Sequence, residues 1–337
     1  MTSSDVKLSM MGLFLGVPAV ILVGLVAQAY FRRVVMERPA IGVFNPRDIA
    51  VVFVLLSSLP VLYLSVPRWL VTTFLSITFL STLSIGLRPL LSPAKVWLVV
   101  GSLVSLNIWM AHNLLGSVLG WQLFWLEDSL LVFGAAVFVS NLYCQGGMRM
   151  LHVVWFIGLL AVYDVFFTTF VPLTNELLQD FLGYPFFPAM GFRVNFDNVA
   201  IGLGDLLIYS LYIITALKAY GRRAARLAFG LVLVFGALTP ALVPLIIDYV
   251  DPRADTLVPA QAWFGPPAIL GYLWLRRRYG RERTMRQFMD SADFIGRGTR
   301  AVPAAVTAPA PVPATDPVPT PVPEPAPVGQ RAIAPAG

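Results

Sequence analysis

The sequence predicts an all-α polytopic membrane protein with nine transmembrane helices, and three observations support this fold class. First, 57% of the 337 residues are hydrophobic and only 12% are charged, and the mean hydropathy of +0.75 is too high for a soluble domain of this size. Second, the apolar residues form segments of roughly 20 residues, the length that crosses a bilayer as a helix. Third, basic clusters recur at alternate turns between these segments.

The predicted spans are bounded by short polar, proline or glycine stretches. The first span is longer than the apolar region of a signal peptide, lacks a small-residue cleavage site and is followed by Arg32 and Arg33, so we expect a retained helix. In chain order, the predicted spans cover residues 8–30, 49–66, 69–87, 95–115, 122–142, 149–171, 198–218, 225–247 and 258–275.

The distribution of basic residues predicts the orientation of the chain. Basic clusters follow the first, third, fifth, seventh and ninth spans, whereas opposite turns such as residues 248–255 hold acids. By the positive-inside rule the basic turns are cytoplasmic, which puts the N-terminus outside and the C-terminus inside. We expect an integral protein of a prokaryotic plasma membrane, because no retention signal ends the chain. These turns explain the net charge of +6, so the expected surroundings are the lipid bilayer and no nucleic-acid partner.

Two regions are expected along the chain. Residues 1–290 form the transmembrane domain and residues 291–337 a cytoplasmic tail. From about residue 302 the tail is rich in proline and alanine, which cannot build a core, and it is predicted to be disordered. The single cysteine excludes an internal disulfide, and the two histidines have no metal-ligand spacing, so we expect no metal and no other cofactor.

Carboxylates inside the apolar spans are the clearest functional signal in the sequence. Asp164 and Asp205 each lie deep in a span, where an ionised carboxylate costs about 2.5–3.5 kcal/mol and therefore marks a candidate functional site. Glu127 and Asp128 lie near the outer end of the fifth span, where we expect them to meet water, and Asp248 ends the eighth span at the interface.

Depth arithmetic predicts that two of these carboxyls face each other. Asp164 and Asp205 each lie about 7 residues, or roughly 10 Å, below the outer face, on consecutive antiparallel helices. Two negative charges a few ångströms apart are unfavourable in a low dielectric, so such a pair shares one proton and supplies one acid and one base. Aspartic proteases hydrolyse peptides in this way. A proton- or cation-coupled transporter or channel using the same carboxylates is the alternative, and a silent scaffold is a third.

The residues around these acids resemble known motifs. The sixth and seventh spans contain Tyr163-Asp164 and Gly202-Leu203-Gly204-Asp205. They resemble the YD and GxGD signatures of the intramembrane aspartyl proteases, the presenilins and signal peptide peptidases. The resemblance includes motif order, helix number and carboxyl depth, and it covers about residues 8–290. It implies that Asp164 and Asp205 are the catalytic carboxylates of an endopeptidase that cuts within the bilayer.

The residues beside the acids suit that chemistry. Gly202 and Gly204, on either side of Leu203, allow another backbone to approach closely, as an enzyme that holds an extended substrate requires. Tyr163 offers a hydroxyl to the site, with packing against a neighbouring helix as the alternative.

The third motif of the family, Pro-Ala-Leu near the start of the ninth helix, has two candidates here. Pro240-Ala241-Leu242 is the literal string but lies in the eighth span. Pro259-Ala260-Gln261 starts the ninth span, residues 258–275, as the family topology requires, with Gln in place of Leu. We favour the second, which the resemblance implies would shape the active site.

The predicted orientation is similar to that of signal peptide peptidases. Resemblance to this branch of the family, the signal peptide peptidases, implies that the substrates are transmembrane or signal-peptide helices with cytoplasmic N-termini. It also implies that no partner subunits are obligatory. Residues 172–197 are then expected to form an outer interfacial linker, with a lid over the substrate entrance as the alternative.

Overall fold

The computed structural model describes residues 3–36, 46–170, 180–194, 197–250 and 259–296, and in this part the chain is largely helical. The helices are α1 (Ser3–Arg33), α2 (Pro46–Ser65), α3 (Arg68–Leu87), α4 (Pro93–Asn113), α5 (Val118–Gln145), α6 (Met150–Val165), α7 (Leu203–Tyr220), α8 (Arg222–Leu231), α9 (Thr239–Val250), α10 (Ala260–Tyr279) and α11 (Met285–Met289). A π-helical segment, Phe166–Phe170, continues α6, and another, Val232–Leu238, joins α8 to α9.

Seven helical segments of the described chain are long and apolar enough to cross a membrane. They are Met10–Arg33, Arg68–Leu87, Pro93–Asn113, Val118–Gln145, Met150–Thr168, Leu203–Tyr220 and Arg222–Val243. The predicted second and ninth spans correspond to α2 and α10, which are helices of 20 residues each but are not among these seven. An integral membrane protein built of apolar helices is therefore supported.

A β-hairpin corrects the prediction that every element is helical. Strand β1 (Ala189–Val194) pairs antiparallel with β2 (Asp197–Gly202). The predicted start of the seventh helix at residue 198 is wrong, because the chain is extended up to Gly202 and α7 begins at Leu203. The predicted linker 172–197 likewise contains β1. Hydropathy alone does not separate the two conformations, since a short apolar run ending in Gly suits a strand as well as a helix.

Helix α5 holds the outer edge of β1. The hydroxyl of Ser129 accepts a 3.2 Å hydrogen bond from the Gly191 amide and donates to its carbonyl at 3.3 Å. The side-chain amide of Gln122 donates to the carbonyl of Arg193. A Cβ at Gly191 would lie 2.9 Å from the Trp125 ring, so glycine allows the strand to approach the helix this closely. The hairpin is therefore fixed against α5 along one edge.

Helix α7 forms the centre of the described bundle. Its residues from Ile208 to Ala219 are all buried, against α1, α5, α6 and α8. Two tyrosines tie it to its neighbours through backbone carbonyls: Tyr209 donates to Gly236 at 2.9 Å and Tyr212 donates to Ala268 at 2.8 Å. Buried hydroxyls with partners are stable in an apolar interior, so these bonds fix α7 against the segments on either side.

A segment after α10 caps helix ends at the basic end of the bundle, where α1, α7 and α10 each finish with basic residues. The carboxylate of Glu282 accepts hydrogen bonds of 3.0 Å from the amides of Met150 and Leu151 at the start of α6. Arg283 donates at 2.9 Å to the carbonyl of Leu217 near the end of α7. An acid at a helix N-terminus and a cation at a C-terminus both complement the helix dipole.

The same segment reaches the end of α1. The amides of Ile295 and Gly296 donate to the carbonyl of Arg32 at 2.8 and 2.9 Å. The packed region therefore extends to Gly296, beyond the predicted boundary at residue 290. The rest of the predicted tail, residues 297–337, lies outside the described residues.

Candidate active site

Asp164 lies where α6 changes its helical form. It is the last residue but one of the α-helical part, directly before the π-helical segment Phe166–Phe170. Thr168, in that segment, donates a 3.3 Å hydrogen bond to Asp164 Oδ1. π-Helical turns are uncommon and often occur at functional sites. The wider turn here places a hydroxyl against the carboxyl group.

Asp205 lies in the first turn of α7. Gly202 is the N-cap residue, and the extended strand β2 leads directly into it. The amides of a first helical turn have no partner within the helix and carry partial positive charge, which favours a carboxylate there. A Cβ at Gly202 would lie 3.4 Å from Asp205 Oδ2, in ordinary contact.

Gln261 connects the two acids. Its backbone amide donates to Asp164 Oδ2 at 2.9 Å, and its side-chain amide donates to Asp205 Oδ1 at 2.6 Å. Gln261 is the second residue of α10 and is only 5% exposed, whereas both aspartates and both hydrogen bonds are partly buried. The sixth, seventh and ninth predicted spans therefore converge at two carboxyl groups that share one glutamine.

The N-termini of two helices meet at this cluster. Asp205 lies in the first turn of α7, and Asp164 accepts from an amide in the first turn of α10. Pro259, the N-cap of α10, leaves no side-chain cap, so the carboxyl of Asp164 serves as an acceptor there. The partial positive charge of both helix N-termini therefore favours negative charge on these carboxyls.

Two polar atoms near the acids have no hydrogen-bond partner among the described residues. They are Oε1 of Gln261 and the hydroxyl of Tyr163, and both are buried. The Tyr163 ring packs on Phe167, with ring centroids 4.4 Å apart. Buried polar atoms are normally paired, so these two offer an acceptor and a donor to a ligand or to water.

The remaining predicted site residues have different surroundings. Leu203 donates its amide to the carbonyl of Pro188 at 2.9 Å, which joins the start of α7 to the chain just before β1. Gly204 is exposed, and a Cβ there would meet no atom within 4 Å. Ala260 begins α10 and is partly exposed. Open space therefore lies at Gly204, which precedes Asp205 in the chain.

The two candidates for the third motif lie in different places. Ala241, of the string Pro240-Ala241-Leu242, lies in α9, where its Cβ is 3.8 Å from the position of a Cβ at Gly12 of α1. Among the described contacts, that string has none with either aspartate. Pro259-Ala260-Gln261 is adjacent to both through its glutamine.

An apolar groove runs beside Asp164. It has a volume of about 390 Å³ and is lined by Ala161, Val162, Val165, Phe166 and Ala262. Val162 is 71% exposed on the outside of a candidate membrane helix. The groove lies between α6 and the start of α10, the two elements that carry Asp164 and Gln261. Neither Asp164 nor Asp205 is among its lining residues, but Val165 follows Asp164 in the chain and Ala262 follows Gln261.

A second pair of acids, Glu127 and Asp128, has a structural role. The expectation that these two residues meet water is wrong, because both are buried. Glu127 and Asp128 are 5% and 0% exposed. The side-chain amide of Asn107 donates to Glu127 at 2.5 Å and to Asp128 at 3.2 Å. The Asn107 carbonyl accepts a 2.7 Å bond from the amide of Phe186, just before β1. This cluster joins α4, α5 and the chain that enters the hairpin.

Two partners of the acids were not predicted in their actual roles. Thr168 was not singled out, although its position four residues after Asp164 is a sequence signal for a contact on one helix face. Gln261 is predicted, within Pro259-Ala260-Gln261, as a residue that shapes the active site, but its hydrogen bonds to both acids are not predicted. Its polarity in the first turn of an apolar helix was the available signal, because such a residue needs a buried partner.

Comparison of the sequence with protein-family models and with curated protein sequences gave no match. The assignment of a function therefore depends on the geometry described above and on the motif resemblance.

Proposed function

We propose that the chain is an intramembrane aspartic endopeptidase of the GxGD type, related to the presenilins and signal peptide peptidases. The observation that carries the proposal is the contact of Gln261 with both Asp164 and Asp205. Two carboxyls held by one buried residue, in a chain with seven candidate membrane helices, match the acid–base pair that peptide hydrolysis in a bilayer requires.

In this proposal the two carboxyls divide the work of hydrolysis. The ionised one removes a proton from a water molecule, whose oxygen attacks the carbonyl carbon of the peptide. The protonated one donates its proton to the carbonyl oxygen. The carboxyl that took the proton from water then gives it to the nitrogen of the tetrahedral intermediate, and the other carboxyl takes a proton back from one of its hydroxyls. The C–N bond breaks, an amine leaves, and a new carboxyl group remains. The amides of Gln261 stabilise the negative charge that alternates between the acids.

Two features would allow an unwound substrate helix to reach Asp164 and Asp205. The apolar groove beside Asp164 suits the side chains of a transmembrane segment. The outer edge of β2 suits the backbone of such a segment. Gly191 of β1 forms its hydrogen bonds with Ser129, on the side away from β2. Ala200, which faces Gly191 in β2, therefore directs its own amide and carbonyl away from β1. That edge leads straight to Asp205. An extended substrate paired with it would bring its peptide bonds to the acids.

The finer parts of the proposal follow from the sequence. They include nine membrane crossings, with α2 and α10 as the second and ninth, and an outside N-terminus in a prokaryotic plasma membrane. The basic residues at one end of α1, α7 and α10 support that orientation. The proposed substrates are transmembrane or signal-peptide helices with cytoplasmic N-termini, cut without partner subunits and without a cofactor.

The test is cleavage in a reconstituted system. The purified chain is placed in vesicles with a labelled signal-peptide-like helix, and fragments are separated by mass. We expect cleavage by the wild-type protein and none by Asp164→Asn or Asp205→Asn, each with an unchanged melting temperature. Proton or cation flux is measured in the same vesicles. Flux through the wild-type protein without cleavage would contradict the proposal and favour a transporter.

A further inference from the structure

A cavity of about 410 Å³ lies at the basic end of the bundle, away from the two aspartates. It is lined by Gln28, Arg32, Leu217, Arg222 and Arg226. These residues come from the last turns of α1 and α7 and the first turns of α8. All three helices include candidate membrane spans, so their ends lie at the level of the lipid headgroups.

The charges around this cavity do not cancel. Three of its five lining residues are arginines. The nearest acid with a described contact is Asp293, which pairs with Arg222 at 3.2 Å and with Arg283 at 3.0 Å. Arg32 donates to the backbone carbonyl of Asp293 at 2.9 Å. Among the residues that the structure describes, one carboxylate therefore faces several guanidinium groups, which leaves a net positive charge around the cavity.

The geometry points to a site for a phosphate group, and we propose that its ligand is the headgroup phosphate of an anionic lipid. Guanidinium groups bind phosphate oxygens with paired, directional hydrogen bonds. Arginine pockets between membrane helices bind acidic lipid headgroups by this chemistry. The site would fix α1 against α7 and α8 independently of the proposed protease activity.

Arg226 is the residue to test, because it is exposed and lines the cavity, whereas Arg222 also holds Asp293. The full chain is reconstituted in phosphatidylcholine vesicles containing phosphatidylglycerol, extracted in neutral detergent, and the retained lipids are counted by native mass spectrometry. We expect preferential retention of phosphatidylglycerol by the wild-type protein. A hydrogen bond between two charged groups in a site is worth about a ten- to hundredfold change in affinity, so Arg226→Gln should weaken retention about tenfold or more.

Arg223→Gln is the matched control. Arg223 is exposed on the same helix and loses the same charge, but it does not line the cavity. We expect retention by this variant to equal that of the wild type. Equal losses in the two variants, or no loss in Arg226→Gln, would overturn the proposal. Displacement of the lipid by millimolar inorganic phosphate would assign the cavity to a free anion and overturn the lipid assignment.

Discussion

The side-chain amide of Gln261 donates a 2.6 Å hydrogen bond to Oδ1 of Asp205, while the backbone amide of the same residue donates to Asp164. One residue of α10 thus controls the position of both acids. The backbone donor is present whatever the side chain, but the side-chain donor is specific to this sequence. The two bonds can therefore be separated by mutation.

Replacing Gln261 with Ala should slow cleavage without unfolding the protein. The change removes the donor to Asp205 and keeps the donor to Asp164. A hydrogen bond to a charged group contributes about 1.5–3 kcal/mol, so we expect kcat to fall roughly ten- to hundredfold. Gln287→Ala, at an exposed glutamine of α11, is the control. Wild-type turnover by Gln261→Ala would show that the side chain does not support the acids.

Replacing Gly204 with Val should obstruct the substrate and leave the fold intact. A Cβ at this glycine, which precedes Asp205, would meet no atom within 4 Å. We expect a melting temperature close to that of the wild type and a fall in kcat/KM of about tenfold or more, because a misplacement of the substrate by an ångström is costly. The measurement is cleavage against substrate concentration.

Gly101→Val is the matched control for this variant, since a Cβ at Gly101 in α4 also meets no atom within 4 Å. It should cleave at the wild-type rate. Equal activity of the two variants would place the substrate elsewhere than beside Gly204.

Replacing Asn107 with Leu should destabilise the protein. Glu127 and Asp128 would lose their common donor, and the amide of Phe186 would lose its acceptor. Each buried group left without a partner costs about 1–3 kcal/mol, so we expect a clear fall in the midpoint of thermal unfolding in detergent. Asn113→Leu, at an exposed site on the same helix, should change it little. Similar midpoints for the two variants would contradict a structural role for the cluster.

Replacing Glu282 with Ala should weaken the start of α6. The carboxylate accepts from the amides of Met150 and Leu151, and loss of a helix cap costs about 1–2 kcal/mol. Hydrogen exchange at these two amides should therefore accelerate. Asp290→Ala, at an exposed acid nearby, removes the same charge and should leave their exchange unchanged. Unchanged exchange in Glu282→Ala would mean that the cap does not hold α6.

The sequence was sufficient to single out the two aspartates, because a carboxylate in an apolar span is conspicuous at any depth. A depth of about 7 residues for Asp205 requires a seventh helix that begins at residue 198. In the structure residues up to Gly202 are extended, and Asp205 lies in the first turn of α7. A strand advances about 3.3 Å per residue and a helix 1.5 Å, so the depth of Asp205 could not be computed correctly without knowing the hairpin.

The hairpin itself depends on contacts that are distant in sequence. Its β1 edge is satisfied by Ser129 and Gln122 of α5, about 60 to 70 residues earlier in the chain. Likewise, Gln261 meets Asp164 from 97 residues away. Local periodicity carries no information on such pairings, so the partners of the acids required the fold.

The most direct test of the acid–base pair is proteolysis of a labelled transmembrane helix in water enriched in oxygen-18, with products weighed by mass spectrometry. If Asp164 and Asp205 activate a water molecule, the new C-terminal carboxyl of the product carries heavy oxygen from the solvent, and Asp164→Asn and Asp205→Asn yield no product. Absence of any product from the folded wild-type protein, or the same labelled product from either variant, would contradict the account.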